Sequence, residues 1–133
     1  MSMDFRTAAD DVVRSSVDLT KGIPEAMAGF AALGKGAYAD RVLSRKFKEM
    51  IAVALSVAAR CDGCVAYHAR KALDLGVTRD EFLETLGVTV QMGGGPSMVY
   101  GGEAIRAYDF FAAEKQAKQD KQDKQDKQAK SAA

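Results

Sequence analysis

The stretch "KEMIAVALSVAARCDGCVAYHARKALDLG", residues 48–76, decides how this chain folds. Its first part belongs to a segment from Ser44 to Arg60 that is apolar at Phe47, Met50, Ile51, Val53, Ala54, Leu55, Val57 and Ala58. That is wide for an amphipathic stripe and predicts a nearly buried central helix. A second helix, from about Asp62 to Leu75, closes with Gly76, a favoured residue just past a helix end. If the two fold back as an antiparallel hairpin cornered near residues 58–59, Glu49 and His68 stand level on neighbouring helices. At the α-helical rise, each lies roughly 14 Å below the corner.

Working outward, the rest of the chain is also helical. Ala8, Val12, Val13, Val17 and Leu19 share one face of a helix from Thr7 to Leu19. Gly22 stops it and Pro24 prepares the next, an Ala-rich helix running to about Gly34. "TRDE" at 78–81 has Thr78 as cap and Glu81 three residues later, a reciprocal arrangement that opens a helix from Arg79 to about Gln91. "GGGPS" at 93–97 breaks that helix, and Pro96 or Ser97 opens a last one carrying Val99, Ala104, Ile105, Ala107, Tyr108, Phe110 and Phe111. The expected fold is therefore all-α, a single-domain bundle of about six helices over residues 1–114. Residues 115–133 form a Lys/Gln/Asp repeat tail with no apolar residue other than alanine. Such a tail cannot repay its ordering entropy by burial and reads as solvated, disordered or partly helical.

Composition narrows the function. With 133 residues the chain makes one domain that needs no disulfide staple. A formal net charge of +1 gives no reason to expect nucleic acid or an anionic membrane as partner. There is no run of 18 or more apolar residues, and the polar, acidic start "MSMDFRTAADD" lacks the pattern of a secretory signal, so a soluble, cytoplasmic protein is expected. In a reducing cytoplasm a close cysteine pair points to catalysis, redox sensing or metal binding more than to a structural bridge.

The only two cysteines, Cys61 and Cys64, and the only histidine, His68, stand at i, i+3 and i+7. On a helix they share a face, and the thiols lie within reach of disulfide geometry. His68, four residues after Cys64, can take its proton, and the free amides of a helix start favour a thiolate. Asp62 opposes that, while Gly63 leaves room for a substrate or partner sulfur. A carboxylate among Phe47, Met50, Ile51 and Val53 needs a partner, and His68 is the one imidazole on offer. This reading makes Glu49, His68 and Cys64 a proton relay, with Cys61 nearer the mouth.

These residues carry a resemblance. Glu49, the "CDGC" pair twelve residues on and His68 four residues after the second cysteine resemble the core motif of the AhpD-like alkylhydroperoxidases of the carboxymuconolactone decarboxylase family. The similarity extends over roughly residues 42–111, through "TRDEFLETL" and "QMGGGPSMVYGGEAI". It implies an all-helical fold, assembly into homotrimers or homohexamers, and thiol peroxidase or disulfide reductase activity without a bound cofactor or metal. The implied catalytic residues are Glu49, Cys61, Cys64 and His68. The implied partners are a peroxide, a dithiol or thioredoxin- or lipoyl-type reductant, and a peroxiredoxin if a protein disulfide is the oxidant. Better-known members carry a further histidine between the cysteines, where this chain has Gly63.

Other readings remain open at this level. The scaffold could serve a lactone decarboxylase or isomerase, although that activity is not usually associated with the cysteine pair. It could also be a non-catalytic assembly protein with packed thiols. Structural zinc would lack a fourth Cys or His ligand. Gly93–Gly95 follow a helix with no preceding strand, which argues against a phosphate cradle and for close helix packing. The helices from Pro24 and Ser97 hold more apolar positions than a six-helix monomer of this size can cover, and closed symmetric assembly is the usual remedy.

Overall fold

A computed structural model describes residues 3–132, and the elements among them are all helices. α1 spans Phe5–Gly22, two residues earlier than the apolar face suggests. Asp4 is the reason: its carboxylate accepts the Thr7 N–H at 3.1 Å and the Thr7 hydroxyl at 2.7 Å, which satisfies an amide donor of the first turn. α2, Pro24–Ala37, follows after Ile23 alone, with Pro24 in its first turn. α3, Arg45–Ala58, is capped by Ser44, whose hydroxyl accepts from the Phe47 N–H at 3.1 Å. α4 is Asp62–Asp74, and α5 is the long run Arg79–Ser131.

The continuity of α5 hides a reversal. Gly94 has φ 69° and ψ −156°, a conformation open to glycine and not to helical residues. Residues 79–93 and 95–131 therefore run as two antiparallel limbs. Arg79 on the first limb grips Asp109 on the second through paired bonds of 2.8 and 3.0 Å. The Phe82 and Tyr108 rings meet at 4.8 Å between centroids, and the Tyr108 hydroxyl donates to the Val77 carbonyl at 2.7 Å. Thr78 and Glu81 form the reciprocal cap that the sequence predicts. The described residues thus form five hydrogen-bonded runs arranged as six rods.

α3 and α4 end alike, and this shapes the corner between them. At the end of α4 the Val77 N–H bonds the Ala72 carbonyl (3.0 Å) and the Gly76 N–H bonds that of Leu73 (3.1 Å), with Gly76 at φ 78°. At the end of α3 the Cys61 N–H bonds Ser56 (3.2 Å) and the Arg60 N–H bonds Val57 (3.1 Å). Both are Schellman turns, whose left-handed position normally holds glycine. In the second it holds Arg60, at φ 54° the one non-glycine residue with positive φ among those described.

The core lies where α1, α3, α4 and both limbs of α5 converge, around Val53, Val57, Val65, Ala69, Phe82 and Phe111. One expectation fails here: α3 is not nearly buried. Its Glu49, Ala52, Val53, Ser56 and Val57 face is covered, but Phe47, Ile51 and Leu55, at i, i+4 and i+8, are 46, 41 and 63 % exposed. α4 and α5 pack on one side of α3 only, so half of its wide stripe has no cover within the chain. α2 has no buried residue, and Phe30 and Leu33 are exposed.

Beyond Phe111, the last buried residue among those described, α5 continues in solvent through the repeat to Ser131, roughly 30 Å at the helical rise. Gln116, Gln119 and Gln122 each donate to the aspartate four residues on at 2.8 Å. Such pairs stabilise an isolated helix by about 0.2–0.5 kcal/mol each. No helix among the described residues is long and apolar enough to cross a membrane.

Candidate functional site

The corner between α3 and α4 carries the cysteines. Cys61 sits just before α4 in extended backbone (φ −102°, ψ 100°) and is its N-cap, its sulfur accepting the Cys64 N–H at 3.3 Å. Cys64 lies in the first turn of α4. The two are joined as a disulfide, with 5.2 Å between their alpha carbons. The N-cap placement gives Cys61 Sγ a helix amide as donor, an arrangement that favours a thiolate when the bond is reduced.

One turn below, α3 and α4 bring Glu49 and His68 together. Glu49 Oε1 and His68 Nδ1 are 2.5 Å apart across 19 residues of sequence. The carboxylate side chain is 3 % exposed and the imidazole 21 %, so the acid is sealed behind the ring. Glu49 faces the core because it shares the Ala52, Val53 and Ser56 face of α3. His68 faces it from α4, three residues after the buried Val65 and four before the buried Ala72. Burying a carboxylate so fully would be costly without this partner. The structure thus gathers Cys61, Cys64, Glu49 and His68 along one seam. His68 stands on the same helix face as Cys64, four residues on.

Several residues around the seam had no signal in the sequence. The Tyr67 ring meets the His68 ring edge-on at 5.1 Å and carries the Lys71 ammonium over its own face at 5.6 Å. Tyr38, at the end of α2, lies under the Arg45 guanidinium at 5.6 Å. Its loop is pinned to α3 by a 2.6 Å bond from Lys48 Nζ to the Ala39 carbonyl and another from the Arg45 N–H to Asp40. Burial, then the Glu49 charge, then Tyr67 hold the Tyr38 phenol above the ordinary tyrosine value. On the outer side, the Asp62 carboxylate is the main cause of a raised Tyr100 phenol. Only the pattern of tyrosines close to Glu49, Asp62 and His68 in three dimensions, not in sequence, marks them.

A second expectation is corrected at Gly63. A β-carbon there would stand 2.9 Å from Val12 Cγ2, because α1 lies directly across the first turn of α4. The space left by the missing side chain is filled by this chain's own first helix rather than kept for an incoming sulfur. Arg70 and Asp10, 2.9 Å apart, hold α1 in that position. Beside the contact, Val12, Leu19, Phe30 and Gly63 border an open, mostly apolar groove of about 460 Å³.

Comparison with known proteins follows the same residues. The model of the carboxymuconolactone decarboxylase family matches residues 24–117. A protein of uncharacterised function from Cupriavidus necator is 37 % identical over 109 residues, covering 82 % of this chain and 96 % of its own length. The crystal structure of a carboxymuconolactone decarboxylase family protein from Legionella pneumophila superposes with TM-score 0.78 at 43 % identity, over 80 % of this chain and 96 % of that one. A structure from Burkholderia xenovorans, named for the same decarboxylase, gives TM-score 0.71 at 22 % identity over 89 % and 98 % of the two chains, a likeness of fold alone.

Proposed function

The chain belongs to the carboxymuconolactone decarboxylase family, and from that premise we propose that it is a thiol-dependent hydroperoxidase or disulfide reductase of the AhpD-like type. The observation that carries this reading is the bonded Cys61–Cys64 pair one turn above a histidine held by a buried glutamate. In the reduced enzyme, the Cys64 thiolate attacks a peroxide oxygen. The O–O bond breaks, the leaving alkoxide takes a proton, and Cys64 becomes a sulfenic acid. The Cys61 thiolate then displaces the sulfenic oxygen as water, and the pair is oxidised by two electrons in all. His68 supplies and recovers the protons, with Glu49 orienting its ring. A dithiol donor restores the pair by exchange at Cys61, the N-cap residue that precedes α4. Run with a protein disulfide as oxidant, the same exchange makes the chain a reductase of its partner.

A lactone decarboxylase is the competing reading, favoured by the match of residues 24–117 to the carboxymuconolactone decarboxylase family. The two separate on one substitution. Cys64→Ser abolishes peroxide consumption under the first reading, whereas decarboxylase chemistry survives it. Mass measurement before and after one equivalent of peroxide gives a loss of two hydrogens from the reduced wild type if the pair cycles. Stable gain of oxygen, or no change, refutes the cycle.

The working form is an oligomer, a trimer or hexamer. The uncovered apolar faces of α2 and α3, with Phe30, Leu33, Phe47, Ile51 and Leu55 in solvent, support assembly through those helices. Sedimentation giving a monomer at micromolar concentration would refute it.

A further inference from the structure

Arg60 occupies the left-handed position of a Schellman turn where the matching turn of α4 has Gly76. A side chain there costs about 1 kcal/mol or more against glycine. Residues held in such conformations persist where something else requires them, and this one is bonded directly to the redox-active Cys61. Its own side chain gives no packing reason: Arg60 is exposed and makes no ion pair among the described residues.

The charges around Cys61 supply the reason. Asp62 follows it on α4, and Tyr100 and Glu103 face the same corner from the second limb of α5, with Arg60 close enough to act on the Tyr100 phenol against Asp62 and Glu103. Asp11 borders the groove beside Gly63 from α1, where Arg14 pairs with it at 2.9 Å. His68 lies on the inner side, committed to Glu49, and Arg106 is paired with Glu103. Every carboxylate in this set opposes a negative sulfur. Arg60 is its one cation without a carboxylate partner among the described residues.

We infer that Arg60 is kept in a backbone conformation suited to glycine because its guanidinium sets the thiolate character of Cys61. The inference rests on the proposed redox function and deepens it by assigning a positioning residue for exchange. When a dithiol donor has formed a mixed disulfide with Cys61, the donor's second thiolate attacks its own first sulfur. The donor closes its disulfide, and Cys61 leaves as thiolate. A neighbouring cation speeds that departure, and it equally favours the Cys61 thiolate that condenses with the Cys64 sulfenic acid.

The test uses the Cys64→Ser chain, so that a single thiol reports, with Arg60→Gly, Arg60→Ala and Arg60→Lys added in turn. Alkylation by iodoacetamide is followed by mass from pH 5 to pH 10, beside the thermal midpoint of each variant. Arg60→Gly raises the midpoint by a few degrees as the strain is relieved. It also slows alkylation at pH 7 about threefold, with the difference vanishing at pH 10 and in molar salt. Arg60→Ala slows it equally, and Arg60→Lys restores most of the rate. Equal rates for Arg60→Gly and the parent, or a lysine variant as slow as the glycine one, overturn the inference, as does a lower midpoint for Arg60→Gly. Failure of the redox reading itself shows separately, as wild-type protein that forms no disulfide with peroxide.

Discussion

Breaking the Glu49–His68 pair from either side should have unequal consequences. Glu49 is 3 % exposed and His68 Nδ1, at 2.5 Å, is its only hydrogen-bonding side chain among the described residues. His68→Ala removes the partner and strands the carboxylate. Removing one member of a buried pair costs about 3–5 kcal/mol, and the ring's 21 % exposure lets water into the vacated space, which places the loss near 3 kcal/mol. Glu49→Gln keeps a hydrogen-bonding group of the same shape and loses only the charge assistance, about 1 kcal/mol. In the double variant no carboxylate is left to strand, so its loss should fall short of the sum of the singles by more than 1 kcal/mol. Urea unfolding at pH 7.5 measures all three, with the slope against urea serving to check that the transition stays two-state. For peroxide turnover, Glu49→Gln should cost about 10²-fold or more through loss of the oriented base. Additivity within about 0.5 kcal/mol would refute the stranded-charge argument, and unchanged turnover in Glu49→Gln would remove the relay.

Other expectations follow from single contacts. A β-carbon at Gly93 would stand 1.9 Å from Ser97 Oγ and 2.7 Å from Ser97 Cβ, so Gly93→Ala should destabilise by roughly 1–3 kcal/mol. Adding Ser97→Gly should recover much of it; no recovery in a melting experiment would place the strain elsewhere. Tyr108→Phe leaves the buried Val77 carbonyl without its 2.7 Å donor and should cost about 1–3 kcal/mol in urea unfolding, while a cost under 0.3 would show that water replaces the hydroxyl. Asp4, Glu81 and Asp109 are held below the ordinary carboxylate range, chiefly by hydrogen bonds from Thr7, Lys46 and Arg79 respectively. Depressed carboxylates bind protons less readily folded than unfolded, so their stabilisation is present above the unfolded values of 3.8 and 4.5 and is lost as pH falls through the lower folded ones. The thermal midpoint should therefore fall below about pH 4.5, less steeply in Asp4→Asn and Glu81→Gln; identical acid limbs would contradict the assignment. Removing residues 115–133 should leave the midpoint unchanged, since every buried residue among those described precedes them, and a drop of several degrees would show that the tail contributes to the fold.

Local chemistry made much of this fold legible in the chain. Thr78 and Glu81, Pro24, Gly76 and the glycines before Pro96 mark helix ends because each answers a need of the backbone at that point, whatever packs around it. Equal spacing of Glu49 and His68 from a short corner was enough to set them level, since the helical rise is fixed. Tertiary structure decided what lies across each element. The pattern of α3 could not reveal that Phe47, Ile51 and Leu55 remain uncovered, because the sequence of one helix holds no record of which side its neighbours take. Nor could Gly63 announce that Val12 would fill its space, or Arg60 that it would stand at φ 54°. Those facts arise from residues distant in the chain meeting at one corner, and a contact between distant residues exists only once the whole bundle has closed.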